Sequence, residues 1–70
     1  TEKYEFQKII RPATQNGIFG YYVKWKGYKD PTFEPHDNLI LDVPKDVNTV
    51  FKKWNVKFNP KNKRWTWKKP

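Results

Sequence analysis

Apolar and polar residues alternate with a period of two near the start of the chain, as they do in half-buried β-strands. Tyr4, Phe6, Lys8 and Ile10 fall on one phase of this alternation. Proline lacks the N–H group that a strand ladder uses, so we expect the first strand to end at Pro12. The pattern therefore predicts a first strand that begins half-buried.

A hairpin turn and a second strand follow. Asn16-Gly17 is the strongest short hairpin signal, because both residues tolerate the positive φ of a type I′ turn. The return strand is predicted from Ile18 to Lys26, and Gly27 ends it. One face of this strand carries large apolar side chains: Phe19, Tyr21, Val23 and Trp25. The other face carries Tyr22, Lys24 and Lys26.

A short third strand and a helix complete the regular elements. The strand is predicted over Thr32-Phe33-Glu34 and is closed by Pro35. The helix is predicted where apolar residues recur at i, i+3, i+4 and i+7, which marks one helical face: Val47, Val50, Phe51 and Trp54. We expect Pro44 in its first turn and Asp42 or Asp46 as its N-cap. His36 is expected in a solvated loop without a special role.

These elements predict an α+β domain: a three-stranded, curled antiparallel sheet, similar to a small SH3-like partial barrel, with one C-terminal helix packed across it. The chain of 70 residues has no cysteine, so no disulfide stabilises it. Its four Trp, four Tyr and five Phe residues must supply most of the core. The predicted core comprises Tyr21, Val23, Phe33, Val47, Val50, Phe51 and Trp54. No apolar run approaches the length of a membrane span, so none is expected.

The residue types exclude several kinds of active site. The chain has no serine, no cysteine and a single histidine, so Ser-His and Cys-His nucleophilic pairs cannot be assembled. The same residues fall short of a zinc site, and no glycine-rich loop is present to bind a nucleotide phosphate. We therefore predict a binding module rather than an enzyme, with no cofactor and no metal.

Positive charge is concentrated at the C-terminal end. Residues 1–54 hold nine basic and seven acidic side chains, whereas residues 55–70 hold six basic and no acidic ones. The six are Lys57, Lys61, Lys63, Arg64, Lys68 and Lys69. Interleaved with aromatic residues, they suit nucleic acid, DNA or RNA, through phosphate contacts and base stacking. A strand around Trp65-Thr66-Trp67 that packs on the sheet, or a solvated end, is the alternative.

Three further rings, Tyr4, Trp25 and Tyr28, are candidates for a box that holds a cation. A quaternary ammonium ion has a positive charge and no N–H donor, so ring faces, whose quadrupoles attract cations, must recognise it. A turn at Gly27 brings Tyr28 beside the indole of Trp25, and the first strand supplies Tyr4. The alternative is ordinary packing, because aromatic residues on strands usually belong to the core.

Three segments, YEFQKII (residues 4–10), GYYVKWKGY (20–28) and FEPHDNL (33–39), resemble a chromodomain of the heterochromatin-protein type. The resemblance implies a chromodomain over residues 1–55, followed by a basic aromatic extension over residues 56–70. It implies the same three strands and helix that the pattern predicts independently. It also implies a monomeric domain that acts on chromatin in the nucleus.

Chromodomains typically bind a methylated lysine of a histone tail, and the resemblance places the aromatic cage on Tyr4, Trp25 and Tyr28. The family inserts the histone peptide as an additional β-strand, so main-chain hydrogen bonds supply affinity and pockets supply specificity. The groove residues that correspond by position are Glu2, Lys3, Glu5, Phe6 and Asn38.

Departures from the family pattern leave other hypotheses open. The loop between Gly27 and Phe33 is shorter than usual and lacks an acidic position beside the cage, for which Asp30 is a candidate replacement. A second hypothesis is a chromodomain-like module with a degenerate cage, similar to those of retroelement integrases, that binds nucleic acid or chromatin through its basic tail. A third is a small barrel that binds proline-rich peptides on its aromatic residues.

Overall fold

The computed structural model describes residues 4–70 of the chain. The strands in this part are β1 (Phe6–Gln15), β2 (Ile18–Trp25), β3 (Thr32–Pro35), β4 (Lys57–Asn59) and β5 (Arg64–Thr66). The helices are α1 (His36–Asp42) and α2 (Pro44–Trp54). The predicted α+β architecture, an antiparallel three-stranded sheet with a helix toward the C-terminus, is confirmed. The sequence pattern did not predict helix α1, and it predicted only one strand of the β4–β5 hairpin, as an alternative.

Strand β2 is the centre of the three-stranded sheet, whose order is β1-β2-β3. The predicted hairpin turn joins β1 to β2, with Asn16 at φ 53° and Gly17 at φ 77°. Gln15 pairs with Ile18 across this turn, so the loop has the two residues that a type I′ turn requires. Gly27, at φ 80°, follows β2 as predicted.

Strand β1 continues through Pro12, so the prediction that it ends there was wrong. Pro12 lies opposite Tyr21 and is fully buried. Proline is tolerated at this position because β1 is an edge strand, where a missing N–H group on the outer side costs no ladder hydrogen bond.

Two β-bulges also change the phase of β1. Its register with β2 shifts between Phe6 and Lys8 and again between Ile9 and Arg11. As a result Ile9 packs against the core while Ile10 is exposed. A bulge inserts a residue that has no partner across the ladder, so the single alternating phase predicted for this strand is not kept.

Phe33 lies on the face of the sheet away from the main core, so its assignment to the core was wrong. It pairs with Tyr22, and the two ring centroids are 6.0 Å apart. Gly20 permits this packing, because a Cβ atom there would meet the Phe33 ring and the carbonyl oxygen of Glu34. Glycine at this one position lets β3 lie close against β2.

The two helices meet at Val43. Its N–H group donates to the carbonyl oxygen of Leu39, the buried residue of α1, at 2.8 Å. Pro44 lies in the first turn of α2 as predicted. The N-cap is Val43 and makes no side-chain cap bond, so the prediction that Asp42 or Asp46 caps this helix was wrong. Within residues 4–70 there is no helix long and apolar enough to cross a membrane.

The core lies between the sheet and α2. Tyr21 and Val23 have no exposed surface, and the predicted stripe of α2 is confirmed, with Val47 and Val50 buried. The buried cluster comprises Phe19, Tyr21, Val23, Leu39, Val47, Val50 and Val56. Phe51 and Trp54 are partly buried and pack against this cluster, as predicted.

The C-terminal extension packs on this core through its aromatic residues. Trp65 of β5 stacks on Phe19, with ring centroids 4.3 Å apart and an interplanar angle of 8°. The N–H group of Lys68 donates to the carbonyl oxygen of Trp54 at the end of α2, at 2.8 Å. The strand predicted around Trp65-Thr66-Trp67 is confirmed over Arg64–Thr66. The domain boundary at residue 55 stays a prediction.

His36 is not the solvated loop residue that was predicted. It begins α1 and is half-buried, and its Nδ1 lies 2.7 Å from the hydroxyl oxygen of Tyr21. Burial raises the pKa of Tyr21, so the phenol keeps its proton, and the tautomer of His36 sets which of the two groups donates this hydrogen bond. Desolvation lowers the pKa of His36, and the neighbouring Asp37 carboxylate opposes that effect in part.

Trp65→Ala is expected to lower the free energy of unfolding by about 2 kcal/mol. A fully buried Trp→Ala change costs roughly 3–5 kcal/mol, and the Trp65 side chain is only half-buried. Urea unfolding measures the difference. The control is Leu41→Ala, at a side chain 82% exposed, which should change stability by less than about 0.5 kcal/mol. Equal stabilities of the two variants would mean that the hairpin does not hold the fold.

The stability of the domain is expected to fall as the pH drops below about 6.5, the ordinary pKa of histidine. In this range the unfolded state binds a proton at His36 that the folded state, with its lowered pKa, resists, so folding is disfavoured as pH decreases. Urea midpoints of the wild type and of His36→Gln measure this, and carboxyl titrations common to both cancel. An identical pH slope in the two proteins would contradict the prediction.

Candidate aromatic cage

Three elements bring the predicted cage residues to one end of the sheet. Trp25 is the last residue of β2, on the same side of the strand as Tyr21 and Val23. Tyr28 follows it in a turn, and Tyr4 precedes β1. Tyr4 and Tyr28 are 56% and 42% exposed, so these two rings are not core residues.

The ring of Tyr4 contacts both of the other rings. The centroids of Tyr4 and Trp25 are 6.0 Å apart at an interplanar angle of 60°, and those of Tyr4 and Tyr28 are 5.1 Å apart at 49°. Phe6 packs edge-on against Trp25 from the side of β1, at 6.3 Å and 89°. The tilted rings therefore present faces and edges to a shared space instead of forming one stack.

Hydrogen bonds fix the orientation of the Trp25 indole. Its Nε1–H donates to the hydroxyl oxygen of Thr32 at 2.7 Å, and that hydroxyl in turn donates to a carboxylate oxygen of Glu34 at 3.1 Å. Thr32 and Glu34 lie two residues apart on β3, so both side chains leave the same side of the strand. This chain of donors connects the ring to β3.

The turn that carries Tyr28 is held by a backbone hydrogen bond and by the side chain of Lys24. The N–H group of Tyr28 donates to the carbonyl oxygen of Trp25 at 3.2 Å, and Gly27 between them takes the positive φ that a type II turn needs. The ammonium group of Lys24 donates to the Tyr28 carbonyl oxygen and, at 3.3 Å, to that of Trp25. Tyr28 is thus positioned by its backbone while its ring stays accessible.

The rings border an open cavity of about 520 Å³. Its lining comprises Tyr4, Trp25, Tyr28, Asp30, Thr32 and Glu34. Two carboxylates therefore stand among three aromatic rings, and both features favour a cationic guest. Asp30 takes up the position beside the rings that sequence reasoning left open. Glu34 and Thr32 were missed as site residues, although the period of two along β3 places them on one face.

The predicted groove residues that the structure describes, unlike the cage residues, do not converge on one cavity. Glu2 and Lys3 lie outside the described residues. Glu5 is exposed beside the cage, where its carbonyl oxygen accepts from the N–H of Lys26 at 2.9 Å and its carboxylate lies 3.7 Å from the Lys26 ammonium group. Phe6 begins β1 opposite Trp25. Asn38 is exposed within helix α1, so it can offer a side-chain amide but no strand edge.

The six basic residues predicted to contact nucleic acid are all exposed. Lys57 lies on β4 and Arg64 on β5, Lys61 and Lys63 lie in the turn between these strands, and Lys68 and Lys69 follow β5. They belong to the hairpin that packs on the opposite end of β2, at Phe19, so the structure does not bring them to the cage.

Comparison with known proteins gives two significant relatives. The chain is 45% identical to Heterochromatin protein 1 of Drosophila melanogaster over 40 residues, which is 54% of this chain and 19% of the fly protein. It is 41% identical to Chromo domain-containing protein 1 of Schizosaccharomyces pombe over 54 residues, which is 73% of this chain and 5% of the yeast protein. The matches thus span a fifth or less of either relative.

No family model matches the chain, and no solved structure gives a significant match. The identity to both relatives nevertheless agrees with the architecture of a three-stranded antiparallel sheet covered by helix α2. The chain belongs to the chromodomain family.

Proposed function

We propose that this domain is a chromatin-binding reader that recognises a methylated lysine of a histone tail through Tyr4, Trp25 and Tyr28. The observation that carries the proposal is the convergence of three rings and two carboxylates on one open cavity. Both relatives, a heterochromatin protein and a chromodomain protein, support a partner in chromatin. The proposed location is therefore the nucleus.

The chemistry of the cavity suits a methylated ammonium group. Methylation removes N–H donors but keeps the charge. Hydrogen-bond acceptors therefore bind the methylated group less well, while ring quadrupoles still attract the cation. Each ring contributes about 0.5–2 kcal/mol, with the larger values at desolvated positions. Asp30 and Glu34 add long-range attraction for any cation that enters.

The histone peptide is proposed to bind as an added strand. Tyr4 and Glu5 directly precede β1, and β1 is an edge strand of the sheet, which is where β-augmentation takes place. Glu5 and Phe6 lie beside this edge, and Glu2 and Lys3 precede them in the sequence. Main-chain bonds to the peptide would then position its methylated side chain over the rings.

The two alternative functions, a module with a degenerate cage and a site for proline-rich peptides, each require a different surface from the one observed. A module with a degenerate cage would bind mainly through its basic tail, whereas here Tyr4 and Tyr28, 56% and 42% exposed, border a cavity that is open to a guest. A site for proline-rich peptides requires an extended aromatic-lined groove, whereas the rings here border one cavity together with two carboxylates. Neither observation favours the alternative, so the reader of methylated lysine is the better supported proposal.

Tyr28→Ala is expected to weaken binding of a trimethyllysine histone peptide by about 2- to 30-fold, the equivalent of one cation–π contact. Fold stability should change little, because the ring is 42% exposed. Fluorescence titration or calorimetry with matched unmodified and trimethylated peptides measures the effect. Phe58→Ala is the matched control, since that ring is 46% exposed and lies on β4, away from the cage.

A peptide that carries a neutral tert-butyl group in place of the trimethylammonium group sharpens this test. The two groups have the same shape, so only the charge differs, and a cation–π site should bind the neutral analogue much more weakly. Equal binding of charged and neutral peptides would show that the rings act only as a hydrophobic pocket. Equal binding of methylated and unmodified peptides would refute the proposed cage.

Asp30→Asn and Glu34→Gln are expected to weaken binding of dimethyllysine more than binding of trimethyllysine. Dimethyllysine keeps one N–H, which can donate a charge-assisted hydrogen bond to a carboxylate, and trimethyllysine has none. The ratio of the two dissociation constants, measured for the wild type and each variant, reports the effect. A ratio that stays constant in both variants would mean that neither carboxylate contacts the guest.

A further inference from the structure

A second cleft lies between the β1–β2 turn and the β4–β5 hairpin, at the end of β2 opposite the cage. It has a volume of about 400 Å³. Its lining comprises Thr14, Gly17, Phe19, Lys63, Arg64 and Trp65. Two cationic side chains and a hydroxyl group thus border a space that contains no carboxylate, which is the reverse of the charge at the cage.

The charge around this cleft is not neutralised within the domain. Residues 55–70 contain six basic and no acidic side chains. Within residues 4–70 the only ion pair joins Lys26 to Glu5, near the cage. Cations left in water without an internal partner are available to an external anion, and a local excess of six charges favours a polyanion over a single small anion.

The basic loop between β4 and β5 is ordered by its own side chains. The N–H group of Lys61 donates to the Asn59 side-chain oxygen at 2.9 Å, and that of Arg64 donates to the Asn62 side-chain oxygen at 3.0 Å. Such local bonds hold turns in one conformation. The stack of Trp65 on Phe19 anchors the hairpin to the core, so the backbone that carries these cations is ordered before binding.

The two faces of the hairpin differ in character. Phe58 pairs with Trp65 on the face toward the core. The pairs Lys57–Thr66 and Asn59–Arg64 alternate with it, so they project from the opposite face. Lys57 and Arg64 are then diagonal neighbours about 7–8 Å apart. The outer face of the hairpin therefore carries two positive charges, and one of them, Arg64, also lines the cleft.

We infer that the cleft and the outer face of the hairpin bind the phosphate backbone of a nucleic acid, with Lys63 and Arg64 as the central contacts. One face of Trp65 is covered by the stacked ring of Phe19, and the tilted rings of Phe58 and His36 lie beside it, which leaves little room for a base to stack on this indole. Contact is therefore with phosphates, and binding does not depend on base sequence.

This site is separate from the cage and independent of the proposed recognition of methylated lysine. Phe19 and Trp25 mark the two sites on β2 and are six residues apart, a distance of about 20 Å along a strand. A histone peptide at one end and a nucleic-acid strand at the other do not compete for the same surface, so both can be bound at once.

The test is the salt dependence of binding to labelled DNA of mixed sequence, duplex and single-stranded, followed by fluorescence anisotropy between about 50 and 200 mM salt. The double variant Lys63→Gln/Arg64→Gln is expected to reduce the slope of log K against log salt by about 2, because each lost phosphate contact removes about one unit. The loss should be the same for unrelated base sequences.

The matched control is Lys52→Gln/Lys53→Gln, which removes the same charge from exposed positions on α2. If the control lowers the slope as much as the cleft variant does, net charge and not the cleft governs binding, and the inference fails. It also fails if polyglutamate or anionic vesicles bind as tightly as DNA at equal salt. The cleft variant should bind trimethyllysine peptide like the wild type, whereas Tyr28→Ala should bind DNA like the wild type.

Discussion

The alternation of side chains along β2 is the constraint on which the rest of the structure depends. This central strand sends Phe19, Tyr21, Val23 and Trp25 to one side, and each meets a different part of the molecule. The two middle residues are fully buried and form the core with α2. Phe19 receives the C-terminal hairpin, and Trp25 begins the cage. A slip of one residue in the register of β2 would remove all four contacts together.

Because the chain is small, it depends on aromatic packing where a larger protein would have a larger hydrophobic core. A chain of this length buries only about 60% of the surface that it exposes when unfolded, and it has no disulfide. The hairpin compensates, because Trp65 contacts Phe19, His36, Phe51 and Phe58. His36 thereby lies among several rings, and its hydrogen bond to Tyr21 satisfies a buried phenol that would otherwise destabilise the core.

Local signals in the sequence were sufficient for the elements that local physics determines. The Asn16-Gly17 turn, strand β2 and the stripe of α2 each depend on residues a few positions apart, and the sequence predicted them correctly, except that β2 ends at Trp25, one residue earlier than predicted. The bulges in β1 and the passage of the strand through Pro12 depend on which strand lies at the edge, a property of the assembled sheet. Helix α1 likewise has too few turns to show a helical period.

The candidate site, like the fold, was predictable only where a local sequence motif carries its residues. Tyr4, Trp25 and Tyr28 were identified because the spacing of the family motif carries them, and the structure brings them together. Glu34 entered the cavity only through the pairing of β3 with β2, which aligns it with Tyr21. Its hydrogen bond to Thr32 depends on the side-chain orientations along β3, and no motif in the sequence encodes that contact.

The residues near the two ends of β2 differ in charge as well as in shape, so the domain has an acidic end and a basic end. Asp30 and Glu34 line the cavity of the cage, and Lys63 and Arg64 line the cleft near the other end of β2. A histone tail is cationic and nucleic acid is anionic, so each is attracted to one end and repelled by the other. For the two proposed partners, a histone tail and a nucleic acid, this separation of charge would orient the domain before contact, since electrostatic steering acts at the stage of encounter.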